Sequence, residues 1–379
     1  MAQGLTKHID IKNKDQQMAR IDTDAVSSVW IGGGKSNAKK IVGEEFADIT
    51  GGSRINFVDK GRHENELVGL LEAILTSSKR EAPGLEGVEL VSLSSDSFTI
   101  AIAGSQGATN FIEFTGSAAV EAIDSVLFTL GSGASGLDLK NANSQVTLFD
   151  TDAVNSIFIG DSDQTSSDFD DEVNGSSLSI GEMDDLIAAA LKGNTDPGLT
   201  TAVDGVKILG LTDQGFTLQI EGSGATADTI IFEGDAAVAA LEAAQTTTGD
   251  GRPFIDTQDP DTEFAIFDVE TMNNLFIGGD GADTAEFQSI VGGSFINEDE
   301  VLEIFEAIIT GNGRNGNSHG LDGVELVGLN DTSFSIQITN TRNQSTNDPG
   351  IDYILFTNVN ELDGAQDFGF AAPSELDVG

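Results

Sequence analysis

The densest group of residues able to do chemistry is acidic: Asp161, Asp163, Asp168, Asp170, Asp171 and Glu172 crowd a single stretch. Carboxylate oxygens packed into one loop are the hard ligands that Ca²⁺ takes, and positions one, three and twelve follow the order of an EF-hand loop. The sixth position, however, is Ser166 where that loop needs Gly, and an apolar strand pattern precedes it where a helix belongs. The expectation is a solvated acidic loop. If any cation binds, it is Ca²⁺ at Asp161, Asp163, Asp168, Asp170 and Glu172; no other cofactor is expected.

Other candidates carry less. The segment GGGKS at Gly32–Ser36 has the tail of a phosphate-binding loop, but the required earlier Gly is replaced by Val29. A glycine-rich turn after a strand is the better reading. His8, His63 and His319 share no recurring Ser or Asp neighbour, so each reads as a surface residue. Paired carboxylates for glycoside hydrolysis lack aromatic platforms, because the chain has one Trp and one Tyr. Trp30 aligns with Phe158 and Phe276 in an apolar strand and reads as core. With no Cys there is no disulfide, thiol or Cys-based zinc chemistry. The chain is expected not to be an enzyme.

The elements that would position such residues come in threes. Gly87, Gly205 and Gly323 stand 118 residues apart, and Phe98, Phe216 and Phe334 keep the same offset. A second block, DTDA at Asp22, DTDA at Asp150 and DVET at Asp268, opens each copy. A fixed long period marks one supersecondary unit, duplicated. The domains read as an N-terminal arm (1–20), a first repeat (21–130), a linker (131–146), a second repeat (147–246), a linker (247–264) and a third repeat with a tail (265–379).

Within each copy Phe98, Ile100 and Ile102, and their counterparts, alternate with small or polar residues, which predicts a strand with one face on the core and one in water. The clusters SSDS, TDQG and NDTS predict tight turns before it. Helices are expected from stripes such as Leu67, Leu70, Leu71, Ile74 and Leu75. Ser179 with Glu182, and Asn297 with Glu300, have capping-box spacing. The fold class expected is α+β: three tandem copies of a ββαβββ unit with a trailing helix, an antiparallel sheet backed by helices.

The formal net charge of −45 argues against nucleic acid and anionic membrane as partners. The N-terminal stretch has no apolar core of a secretion signal or membrane anchor. Residues 1–130 hold most of the basic residues, so that part is expected to dock on a partner through Lys7, Lys12, Lys14, Lys35, Lys39 and Lys40, the other two copies facing solvent. These features together predict a non-enzymatic structural protein of a large assembly, foremost a tailed-phage virion component such as a head decoration, fibre or tail accessory protein. Its partners would be other structural proteins and further copies of itself. The alternative is a secreted bacterial surface or matrix protein, exported by a C-terminal signal and possibly Ca²⁺-binding.

Overall fold

The computed structural model describes residues 6–9, 18–32, 46, 54–57, 65–76, 85, 87–103, 109–131, 133–139, 141, 143–160, 177–193, 206–221, 227–256, 262–278, 295–310, 324–340 and 350–359. The chain begins with β1 (Thr6–Ile9), β2 (Met18–Asp22), β3 (Ser28–Ile31), β4 (Arg54–Asn56), α1 (Glu66–Thr76), β5 (Val88–Leu93), β6 (Phe98–Ala103), β7 (Thr109–Thr115) and α2 (Ser117–Val126). It continues with β8 (Gly136–Leu137), β9 (Val146–Asp150), β10 (Ser156–Ile159), β11 (Ser177–Ser179), α3 (Met183–Gly193), β12 (Val206–Thr212), β13 (Gly215–Glu221), β14 (Ala227–Glu233) and α4 (Asp235–Ala243). The last part holds β15 (Phe254–Asp256), β16 (Phe264–Asp268), β17 (Leu275–Gly278), β18 (Phe295–Ile296), α5 (Glu298–Thr310), β19 (Val324–Leu329), β20 (Phe334–Asn340) and β21 (Gly350–Thr357).

These elements make a mixed α/β structure with several small sheets. Three sheets have four strands: sheet I in the order β2-β7-β6-β5, sheet II β9-β14-β13-β12, and sheet III β16-β21-β20-β19. They are mixed, where a purely antiparallel sheet was expected. The three C-terminal strands of each run as an antiparallel meander, but β2 pairs parallel to β7, β9 to β14 and β16 to β21. Parallel pairing needs a long crossover, and the intervening strands and helix supply one.

Among the described residues the remaining strands form three small sheets, β1-β3-β4, β8-β10-β11 and β15-β17-β18. The stretches read as an arm and two linkers each contribute a strand to them, since β1 pairs parallel to β3, β8 to β10 and β15 to β17. One expectation fails here. Phe158 and Phe276 are exposed and Trp30 is half-buried, because their strands turn Val29, Ile31, Ile157, Ile159, Leu275 and Ile277 inward and the aromatic residues between them outward.

Each large sheet buries the face that carries Phe98, Phe216 or Phe334, and these rings lie 5.0, 4.5 and 4.6 Å from Phe114, Phe232 and Phe356. Burying one such ring contributes about 1.5–3 kcal/mol. The α1 stripe of Leu67, Leu70, Leu71, Ile74 and Leu75 packs in the same core, with α1 against α2 and α3 against α4. Both capping boxes form: Ser179 N–H donates to Glu182 Oε2 at 2.7 Å, and Asn297 N–H to Glu300 Oε2 at 2.9 Å.

The opposite face of each large sheet, expected in water, is buried too. Thr99, Thr217 and Ser335 are at most 2% exposed. Val146, Leu148 and Ile231 of sheet II pack into the core of sheet I; Phe264, Tyr353 and Leu355 of sheet III into that of sheet II; Met18, Ala101 and Phe111 of sheet I into that of sheet III. The edge strands β5, β12 and β19 meet one another at the centre. The result is a closed pinwheel in which every sheet lays its outer face on the edge of the one before.

Candidate functional site

The three meanders share an irregularity that brings their edges together. Register shifts by one residue between Leu90 and Ser92, Ile208 and Gly210, and Leu326 and Gly328. A bulge bends its strand and tightens the local twist. The residues after it are small because the edges approach closely: a Cβ on Gly328 would stand 2.1 Å from the Leu211 carbonyl oxygen.

Hydroxyl-to-carbonyl hydrogen bonds then run around the pinwheel in one direction. Thr217 Oγ1 donates to the Leu93 carbonyl at 2.6 Å, and Ser335 Oγ to the Leu211 carbonyl at 2.8 Å. At the third junction Thr99 Oγ1 is buried without a partner, and Ser92 Oγ donates to the Leu329 carbonyl at 3.2 Å instead.

The recurring Asp-Thr-Asp block sits beside these turns, and its polar atoms are committed to architecture. Asp22, Asp150 and Asp268 each accept, through Oδ1, the backbone N–H two residues on, at 2.9–3.0 Å. Thr23 and Thr151 donate to the carbonyls of Thr115 and Glu233. The carboxylates of Asp24 and Asp152 accept backbone N–H groups at the start of α2 and α4, as helix caps do. Gly116 and Gly234, at φ +84° and +95°, let the chain pass: a Cβ on Gly234 would stand 2.5 Å from Thr151 Oγ1. In sheet III the counterpart is Asn358 at φ +56°, whose amide donates to Asp268 Oδ1 at 3.1 Å.

Where sheet I meets sheet III, a cleft of about 990 Å³ opens, lined among others by Arg20, Asp22, Asp24, Asp96, Gln214 and Asp331. Arg20 Nε donates to Glu113 Oε2 at 2.7 Å and Nη2 bonds Glu113 Oε1 at 3.2 Å and Asp331 Oδ1 at 2.5 Å. Burial pushes the Glu113 carboxyl above its ordinary range, and Arg20 pulls it back. Sequence reasoning missed this pair, although a signal existed: the same positions hold Leu148 and Ile231, then Ile266 and Leu355.

A second buried carboxylate lies at the other end of sheet II. Asp228 is fully buried and accepts the Gln145 N–H at 2.9 Å; burial pushes it up to about 7 against that bond. Asn110 and Asp352 stand at the equivalent positions, and Asp352 accepts the Glu263 N–H at 3.0 Å. These carboxylates anchor the strand that pairs parallel in sheets II and III, whereas in sheet I the Asn110 amide makes no such bond among the described residues.

The sequence-predicted ligands Asp161, Asp163, Asp168, Asp170 and Glu172 lie outside the described residues, as do Lys12, Lys14, Lys35, Lys39 and Lys40; the Lys7 backbone belongs to β1. Among the described residues no three acidic or imidazole side chains come together to hold a metal, and no helix is long and apolar enough to cross a membrane. Compared with known proteins, the chain matches no family model, no curated protein and no solved structure.

Proposed function

We propose that the chain is a non-enzymatic structural component of a large assembly, built from three tandem copies of one unit, with a tailed-phage virion the assembly that fits best. The observation that carries this reading is the use made of the recurring polar residues. The Asp-Thr-Asp blocks close turns and cap helices, and Thr217 and Ser335 tie one sheet to the next. Asp22 and Asp24 also line the cleft where sheet I meets sheet III, but their counterparts Asp150 and Asp268 close the same turns, so the recurrence follows the architecture. Matching strand orders, matching bulges and the 118-residue period support the tandem reading. The net charge of −45 suits a body that must stay soluble and apart from its neighbours.

Residues 1–130, with 12 of the 18 basic residues, would form the flank that meets neighbouring structural proteins. Mass spectrometry of particles purified by density gradient from the source culture tests the reading. The chain should co-purify with capsid and tail proteins, and its gene should neighbour theirs. Recovery in particle-free medium, from a gene beside a transporter operon, would overturn it in favour of a secreted surface protein.

A further inference from the structure

Two of the three junctions in the pinwheel follow the chain, which passes from sheet I to sheet II and from sheet II to sheet III. The third, between sheets III and I, has no backbone across it. It can therefore part without dragging a linker out of place, and the contacts there decide whether it does.

Those contacts differ from the other two sets. The middle of the sheet II outer face is the apolar pair Leu148 and Ile231, and that of sheet III is Ile266 and Leu355. On sheet I the same two places hold Arg20 and Glu113, which bond each other, and Arg20 reaches across the junction to Asp331, a carboxylate 72% exposed. Water screens the Asp331 end of that bond and weakens it. The hydroxyl that should donate across, on Thr99, is buried without a partner, and the substitute from Ser92 is long at 3.2 Å. Among the described residues the unlinked junction is thus the one whose hydroxyl bond across is the longest.

Parting it would uncover Met18, Ala101 and Phe111 on sheet I, and on sheet III Asp331 with the side of β19 that meets β5, while Asn330, Thr332 and Ser333 stay bonded to Asp213 of sheet II. The two surfaces complement each other in the Arg20–Asp331 bond and in apolar content. We propose that this junction is an exchangeable interface, and that its occupant when open is a second copy of the chain, sheet I of one molecule closing on sheet III of the other. Such head-to-tail contacts give rings where the rotation closes and open rows where it does not. In dilute solution the tethered surface wins, because a linked partner is present at an effective concentration in about the millimolar range. Crowding copies together favours exchange.

The three junctions serve as controls for one another in the full-length protein. Hydrogen exchange followed by mass spectrometry should show Met18–Asp22 and Phe98–Ala103 exchanging roughly tenfold or more faster than Val146–Asp150 and Gly215–Glu221, or Phe264–Asp268 and Phe334–Asn340, as the least stable segment of a structure opens first. Asp331→Ala should speed the first set alone, by about fivefold, the fold-change expected of one exposed ion pair. Copies labelled with ¹⁴N and ¹⁵N, mixed at high concentration, should give mixed-isotope dimers in native mass spectrometry, more of them with Asp331→Ala, and revert on dilution. Equal protection at the three junctions would overturn the proposal. So would the absence of mixed species in both proteins, or mixed species whose amount ignores Asp331→Ala.

Discussion

Thr217 and Thr99 occupy the same position on adjacent sheets and have opposite fates: the Thr217 hydroxyl donates to the Leu93 carbonyl at 2.6 Å, whereas that of Thr99 is buried with no partner. A buried hydroxyl without a partner carries its desolvation cost uncompensated. Thr217→Val should therefore cost about 1–2 kcal/mol by removing a donor from a buried carbonyl, while Thr99→Val should be neutral or stabilising. Chemical denaturation of the two variants gives the comparison directly.

Removing Arg20 should show how much the buried pair matters. Arg20→Leu leaves Glu113 buried and unpaired, and should cost about 3–5 kcal/mol. The double variant Arg20→Leu with Glu113→Ile installs the apolar pair that sheet II already uses, and should recover most of that loss. A double variant as unstable as the single one would show that the guanidinium acts through something other than Glu113.

The pH dependence of stability should have an unusual sign in the neutral range. The folded state raises Asp228 from an ordinary value near 3.8 to about 7, so it binds the proton more tightly than the unfolded chain does. The stability this gives is complete below the ordinary value and is lost as pH rises through about 7. The protein should thus melt at lower temperature at pH 8 than at pH 5. Asp228→Asn, which copies Asn110 of sheet I, removes the Asp228 share and should reduce that slope, by at most about 1.4 kcal/mol for each pH step of one, leaving the shares of Glu113 and Glu233, which burial also raises. Melting curves across this range decide it.

Gly234→Ala tests the turn that launches α4. The residue sits at φ +95° and its Cβ would stand 2.5 Å from Thr151 Oγ1, so the substitution strains the backbone and displaces a hydroxyl that accepts the Ala236 N–H. A loss of about 1–3 kcal/mol is expected. Denaturation of this variant beside wild type measures it.

Much of the meander was legible in the sequence, because a period of two says which side chains share a face. Phe98, Phe216 and Phe334 are buried as that rule requires, and Ser179 and Asn297 cap their helices as their spacing requires. Alternation does not say which strands pair, and so β2 and β3, neighbours in sequence, went unrecognised as members of different sheets. Nor does it say what a polar face meets. Thr99, Thr217 and Ser335 read as wet because they can hydrogen-bond water, and they are dry because two of them bond carbonyls of an adjacent sheet. Trp30, Phe158 and Phe276 misled in the opposite sense: apolar neighbours on both sides concealed that alternate residues point outward. Of the site, Asp228 looks like any other carboxylate in a chain with 63 acidic residues, and Glu113 stands out only when its position is compared with Ile231 and Leu355.

The head-to-tail closure of the sheets also constrains how such a gene can change. A molecule with one sheet fewer would leave an outer face such as that of Ile266, Tyr353 and Leu355 with no edge to lie on, and one with a sheet more would force the bulged edges off their shared centre. Gain or loss of a segment would thus be purged even when every remaining sheet folded correctly. Side chains are less constrained, since the place that holds Leu148 with Ile231 in sheet II and Ile266 with Leu355 in sheet III holds Arg20 with Glu113 in sheet I, but the number of large sheets is held by geometry.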